Sequence, residues 1–212
     1  MQAVTDAGIG INSFTLADVP RKIWTREEAH ALVDLGFPNA EKWELINGEL
    51  IDKTGKSRPH VIWQGKVHAW LRAVFGDNKV EFAAPSDVAT EDNAHNEPEA
   101  DLKVLRRPSR EYASNPQPED ILLLVEISDS TVRFDLGPKA KLYARAAIME
   151  YWVLDIPGKR LVVHREPEEG RYRSVVAYEA QEEVAPLGAP EARFCLERCG
   201  GFQVKPPHRW LE

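Results

Sequence analysis

The eight residues ILLLVEIS, positions 121–128, constrain the fold of this chain more than any other stretch. A continuous apolar run of strand length, rather than an alternating one, suits a strand buried on both faces in the middle of a sheet. Such a strand needs a neighbour on each edge and cover above and below. Glu126 closes the run. An ionised carboxylate in these surroundings is costly unless it is paired or bound to a metal, and the alternative is that the strand ends at Glu126 and meets solvent. The residues alone leave both readings open.

The elements around that strand can be read from spacing. Thr25 followed by Glu28 forms a capping box ahead of Ala29, Leu32 and Val33, predicting a helix that ends near Gly36. In KWELINGELIDK, Asn47-Gly48 separates two alternating segments, the strongest short-range signal for a two-residue hairpin. Trp63, Val67, Trp70, Leu71 and Val74 recur at helical spacing and predict a helix over about 58–75. KVEFA, DVAT and DLKVL read as strands, and residues 106–119 as a polar connection. A helix is expected over 135–149, with Leu142, Ala146 and Met149 on one side. YWVLDI and RLVVHRE form a hairpin about Pro157-Gly158-Lys159, and RYRSVVAYE adds a strand. The order describes an α/β (α+β mixed) domain, a mixed sheet flanked by helices with β-hairpin additions. Residues 1–22 read as a loose arm, 23–200 as a single domain and 201–212 as a tail.

At 212 residues with 43% apolar content, the chain can bury one core and is short for two. It has no run of eighteen apolar residues, and its start lacks a basic leader, so a soluble, cytoplasmic protein with no membrane partner is expected. Cys195 and Cys199 read as reduced packing residues, with metal ligation alongside His208 as the alternative. A net charge of −7 argues against non-specific coating of nucleic acid, which is driven by Lys and Arg contacts to phosphates. Binding a polyanion would need a local basic patch. Acids, in turn, are what a hard divalent cation requires.

The candidate chemical residues are few. Asp101 in PEADLKVL and Glu126 are placed at strand ends. Lys139 and Lys141 fall in the first turns of the following helix on different faces, so at most one returns over Glu126; two solvated lysines are the plainer reading. A turn at Asn47-Gly48 puts Glu44 and Glu49 on one face of the hairpin as diagonal neighbours, roughly 7–8 Å apart, where like charges repel unless a cation intervenes. His60 stands at the start of its helix near the inward face, where a histidine is more often a cap or packing group than a catalyst.

Taken in order, WELINGEL, His60, PEADLKVL, ILLLVEISDSTVRFDLGPKAKLY and EYWVLD resemble the motif series of the Uma-two family over approximately residues 24–180. The most distinctive part is Val125-Glu126-Ile127-Ser128, then Ser130-Thr131, Asp135, Lys139 and Tyr143, then Glu150-Tyr151-Trp152. The resemblance implies a restriction-endonuclease-like fold with a mixed central sheet and a PD-(D/E)XK phosphodiesterase site. Asp101 matches the first metal-binding acid, Glu126 the second, and Lys139 the lysine. In the standard motif that lysine follows the acid by two residues, where Ser128 stands here. Ala100 replaces the proline that usually precedes the first acid, although Pro98 is close. Glu44 and Glu49 match the hairpin acids and His60 the helix-start histidine.

What the resemblance implies is an endonuclease acting on nucleic acid, with DNA as the expected substrate and a homodimer left open. Asp101, Glu126 and the Ile127 backbone carbonyl would hold Mg²⁺, with Mn²⁺ as a substitute. Lys139 would stabilise charge at the reacting phosphate. Arg106, Arg107 and Arg110, with Lys141 and Arg145, are expected to flank the cleft and contact phosphates. Two other readings stand beside this one: a catalytically silent nucleic-acid-binding or regulatory module on the same fold, and a metal-dependent hydrolase of small phosphorylated molecules.

Overall fold

A computed structural model describes residues 20–53 and 55–200, with ILLLVEIS inside a six-stranded sheet. The sheet runs β3 (Val80–Pro85), β4 (Glu99–Leu105), β5 (Ile121–Ser128), β6 (Glu150–Asp155), β7 (Arg160–Glu168) and β8 (Arg171–Glu179), in that spatial order. All neighbours are antiparallel except β5 and β6. A separate hairpin, β1 (Trp43–Ile46) and β2 (Glu49–Asp52), turns at Asn47-Gly48 as expected. Both turn residues have positive φ, 49° and 75°. That geometry suits Asn and Gly and carries the strand twist through the turn.

The continuous apolar run of β5 is explained by cover on both faces. On one face α2 (Arg58–Phe75) sets Val67, Trp70 and Leu71 against Leu102, Val104, Val125, Trp152 and Leu154. On the other, α4 (Ala140–Arg145) and the residue after it bring Leu142, Tyr143 and Ala146 against Leu124, Tyr151 and Val153. Each fully buried aliphatic side chain here contributes roughly 1.5–3 kcal/mol of transfer free energy. Ser57 caps α2 by accepting from the His60 amide at 3.3 Å, and Pro59 sits in the first turn, where its missing N–H costs nothing. The predicted capping box of α1 (Arg26–Asp34) is formed by Thr25 and Glu28.

Two expected elements differ. DVAT forms no strand: the Val88 amide donates to the Asn93 side chain at 2.8 Å and the Asp87 amide to the Pro116 carbonyl at 3.4 Å, so the groups a ladder would have used are taken by loop partners. The helix expected over 135–149 begins earlier and ends earlier. A short α3 (Val132–Phe134) runs into a π-turn, Asp135–Lys139, and then α4. Pro138 lies in that π-turn; it has no N–H to donate and its ring crowds the carbonyl four residues back, which favours a widened turn. The helix stops before Ala147, whose φ is +55°, and Met149, expected on the buried side, is exposed. Among the described residues, no helix is long and apolar enough to cross a membrane.

Candidate active site

The β4–β5 register pairs Leu102 with Val125, and the ladder stops one step further on, where Asp101 and Glu126 face each other. Carboxylates take over from carbonyls at that point. The Asp101 amide donates to Glu126 Oε2 at 3.2 Å, and the Ile127 amide donates to Asp101 Oδ2 at 2.9 Å. On its other edge Asp101 lies opposite Ala83, which interrupts the β3–β4 pairing with φ +44°. A non-glycine residue held in that region costs of order 1–3 kcal/mol, and such strain gathers at sites where backbone must be diverted.

Helix α2 supplies the rest of the Asp101 environment. His60, as its Nε2–H tautomer, donates to Oδ2 at 3.0 Å, and Gln64 donates to Oδ1 at 2.9 Å. Lys56, in the segment before α2, reaches the same Oδ1 at 3.0 Å. Burial pushes the Asp101 carboxyl up; His60, Lys56 and the Ile127 amide outweigh it and hold the group below its ordinary range. Asp101 is therefore a carboxylate kept charged by its neighbours.

Glu126 is buried beside Lys139, whose Nζ lies 2.9 Å from its Oε1 and 3.0 Å from Glu44 Oε2. Burial raises the Glu126 pKa well above the usual carboxylate range; Lys139 opposes this, while Asp135, Asp101 and Glu44 push further upward. For Lys139, burial acts downward and the surrounding acids more than restore it. The Lys139 ammonium thus stands between the two buried acids, Glu44 and Glu126, as their shared partner. Lys141 is exposed, so of the two candidate lysines the helix presents Lys139.

The π-turn explains how a lysine so far along the chain returns to Glu126. Asp135 opens the turn and Lys139 closes it. Ser128, which stands where the standard motif carries its lysine, donates to Asp135 Oδ2 at 2.7 Å, and Thr131 donates to the same oxygen at 2.6 Å. The serine thus anchors the turn that delivers the displaced lysine.

The hairpin is fixed by contacts to the loop before β4: Leu45 bridges Glu97, and the Asn47 amide donates to Asn96 at 2.6 Å. Glu44 is buried at the site, whereas Glu49 is exposed and paired with Arg21 at 3.0 Å. The two acids do share a hairpin face, but Glu49 lies beside the turn and is exposed. A cavity of about 380 Å³ is lined by Glu44, His60, Asp101, Glu126, Ile127 and Lys139 together, and by Lys42, Lys53 and Lys56.

The arginine patch is not at this cavity. Asp101 sits near the start of β4 while Arg106 and Arg107 follow its end, five residues and roughly 17 Å away at the rise of an extended strand. Arg106 donates to the Glu119 carbonyl, Arg107 stacks on Tyr112, and Arg110 follows in the same connection. Arg145 is bound to Asp92 and Asn47 at the hairpin turn. None of these four, nor Lys141, lines the cavity. For Arg106, Arg107 and Arg110 the cause is the antiparallel neighbour: a segment leaving β4 departs from the end opposite to Glu126. The lysines that do line the cavity, and Gln64, carry no pattern that singles them out in the sequence; Gln64 merely interrupts an apolar helix stripe. Cys195 and Cys199 are buried free thiols, and His208 lies outside the described residues.

The family model for Uma2 (Uma-two), described as putative restriction endonuclease, matches residues 26–196. The chain belongs to the Uma-two family. Among solved structures it is similar to a putative nuclease from Anabaena variabilis, with a TM-score of 0.59 and 16% identity over 82% of this chain and 96% of that one. At that identity the likeness speaks for the fold, and the mixed sheet with its helices is the restriction-endonuclease-like architecture expected of an Uma-two chain. A comparison with curated proteins returns no match.

Proposed function

We propose that this Uma-two chain is a metal-dependent endonuclease that hydrolyses phosphodiester bonds, with DNA as its substrate and Mg²⁺, or Mn²⁺ in its place, as its ion. The observation that carries the reading is one cavity collecting Asp101, Glu126 and Glu44 around a single buried ammonium, Lys139. That balance leaves room for further positive charge. The donor chemistry suits a hard cation, since every candidate ligand is an oxygen. Among the described residues no three His, Cys, Asp or Glu side chains form a metal-holding group, so the protein's share would be two carboxylates, Asp101 and Glu126, with the Ile127 carbonyl.

When bound, the ion would polarise the phosphate, help form hydroxide from water and offset charge on the leaving oxygen. The chain's own groups do the remaining work. His60 and Gln64 fix the Asp101 carboxylate from two sides. Lys139 is a preorganised point charge for the reacting phosphate, held in place by Glu44 and by the Asp135 anchor of its turn. Lys42 and Lys53, at the hairpin base, are the candidate contacts to neighbouring phosphates.

The test is cleavage of single- and double-stranded DNA and RNA with Mg²⁺ against EDTA. Wild type is expected to cut DNA only with the metal, and Asp101→Asn and Glu126→Gln to lower the rate by two or more orders of magnitude. A folded wild type that cuts none of the four substrates with either ion sinks the reading and returns the chain to a silent binding module.

A further inference from the structure

Lys56 stands in an unusual position for a half-exposed lysine. Its side chain is 37% exposed, yet its ammonium lies 3.0 Å from Oδ1 of Asp101, a carboxylate that is only 12% exposed. It also meets Gln64 Oε1 at 3.1 Å and the face of Phe82 at 5.0 Å. Every oxygen of the two central acids is engaged in the same way: Asp101 by Lys56, Gln64, His60 and the Ile127 amide, Glu126 by Lys139, Tyr143 and the Asp101 amide. A divalent ion cannot take Asp101 without displacing one of these partners. Gln64 and His60 sit on α2 and the Ile127 amide is backbone, so they have little freedom to leave. Lys56 precedes the helix, ends a flexible four-carbon stem and opens toward solvent.

We infer that Lys56 is a placeholder cation: its ammonium neutralises Asp101 in the metal-free protein and is the group that a divalent ion displaces. The assignment rests on the metal-dependent reading above. It makes ion binding an exchange of one cation for another, so the buried carboxylate is never left without a counter-charge. It also frees an ammonium at the cavity when the ion arrives.

The inference is tested by titrating Mn²⁺ into the full chain and following free Mn²⁺ by electron paramagnetic resonance, for wild type, K56M, K56Q and K56R. The two neutral variants remove the competitor and are expected to bind one Mn²⁺ about ten-fold more tightly than wild type, a modest gain because the pair is partly exposed to water. K56R retains a cation and is expected to match wild type. D101N marks the site and is expected to lose the binding in every background. Neutral variants that bind no more tightly than a wild type that does bind overturn the placeholder role and leave the metal reading standing. If neither wild type nor the neutral variants bind Mn²⁺, the metal reading falls and the placeholder role falls with it.

Discussion

One ammonium, that of Lys139, answers to two buried carboxylates, and this sets what substitution at the site should do. Removing it leaves Glu44 and Glu126 facing each other without a counter-charge, a defect that in buried pairs typically costs about 3–5 kcal/mol. Lys139→Met should therefore lower unfolding stability by that order in urea denaturation. Adding Glu44→Gln should recover part of the loss, because one of the stranded charges is gone; a double variant no more stable than Lys139→Met would show that the two residues are not coupled. Cleavage separates the roles: the double variant regains stability and stays inactive if Lys139 acts on the phosphate. At this scale the sequence was informative about identity and poor about environment. Asp101, Glu126 and Lys139 were each legible through the motif order, whereas Lys56 and Gln64 were not. A lysine in a polar loop and a glutamine within an apolar stripe have many unremarkable uses, and only the fold brings them to one carboxylate.

The elements carry two further predictions away from the cavity. Glu150, fully buried at the start of β6, accepts twice from Arg165 at 2.9 and 2.6 Å, from the Trp152 indole at 3.0 Å and from the Leu187 amide at 2.7 Å. It ties β6, β7 and the segment after β8 together, so Glu150→Ala should destabilise by about 3–5 kcal/mol, measured by chemical denaturation. The Glu150-Tyr151-Trp152 motif is then read as architecture rather than catalysis. His164 on β7 is buried against Tyr151 and Tyr172, and burial holds its pKa below the ordinary 6.5, against the pull of the Tyr151 and Val162 backbone. The folded state thus takes up the proton less readily than the unfolded one. Its contribution is present above the ordinary value and is lost as pH falls below it, levelling off beneath the folded value. The melting temperature should fall more steeply between about pH 7 and about pH 5 in wild type than in His164→Gln; parallel curves would remove His164 as a source of acid sensitivity. Pattern made most of these elements readable: α2 and the Asn47-Gly48 hairpin follow periods of 3.6 and two, and β5 announces burial on both faces by its unbroken apolar run. It failed at the π-turn, which has neither period, and at residues 87–90, where Asp87 and Asn93 divert the backbone into a loop.

For the whole molecule the difficulty is charge: a net −7 must still meet a polyanion. The fold class was legible because element order and the apolar β5 leave few arrangements, but the direction in which each strand carries its neighbours was not. That is why the arginines after β4 were expected at the wrong end of the sheet. In the structure Arg106 and Arg107 are spent on the Glu119 carbonyl and on Asp120, a strand length from Asp101, while Lys42 and Lys53 line the cavity beside the acids. Both lysines already have partners, Asn39 at 2.8 Å and Glu99 at 2.6 Å, which position them without burying them. Phosphate contacts release counterions, and each contact adds close to one to the slope of log affinity against log salt. Duplex binding by the full chain, measured with Ca²⁺ to hold back cleavage, should therefore respond to one pair and not the other. Lys42→Ala with Lys53→Ala should weaken binding across sequences and reduce the salt slope by about two. Arg106→Ala with Arg107→Ala should leave affinity and slope unchanged. The reverse pattern would place the polyanion at the far end of β4 and separate the binding surface from the candidate cleavage site.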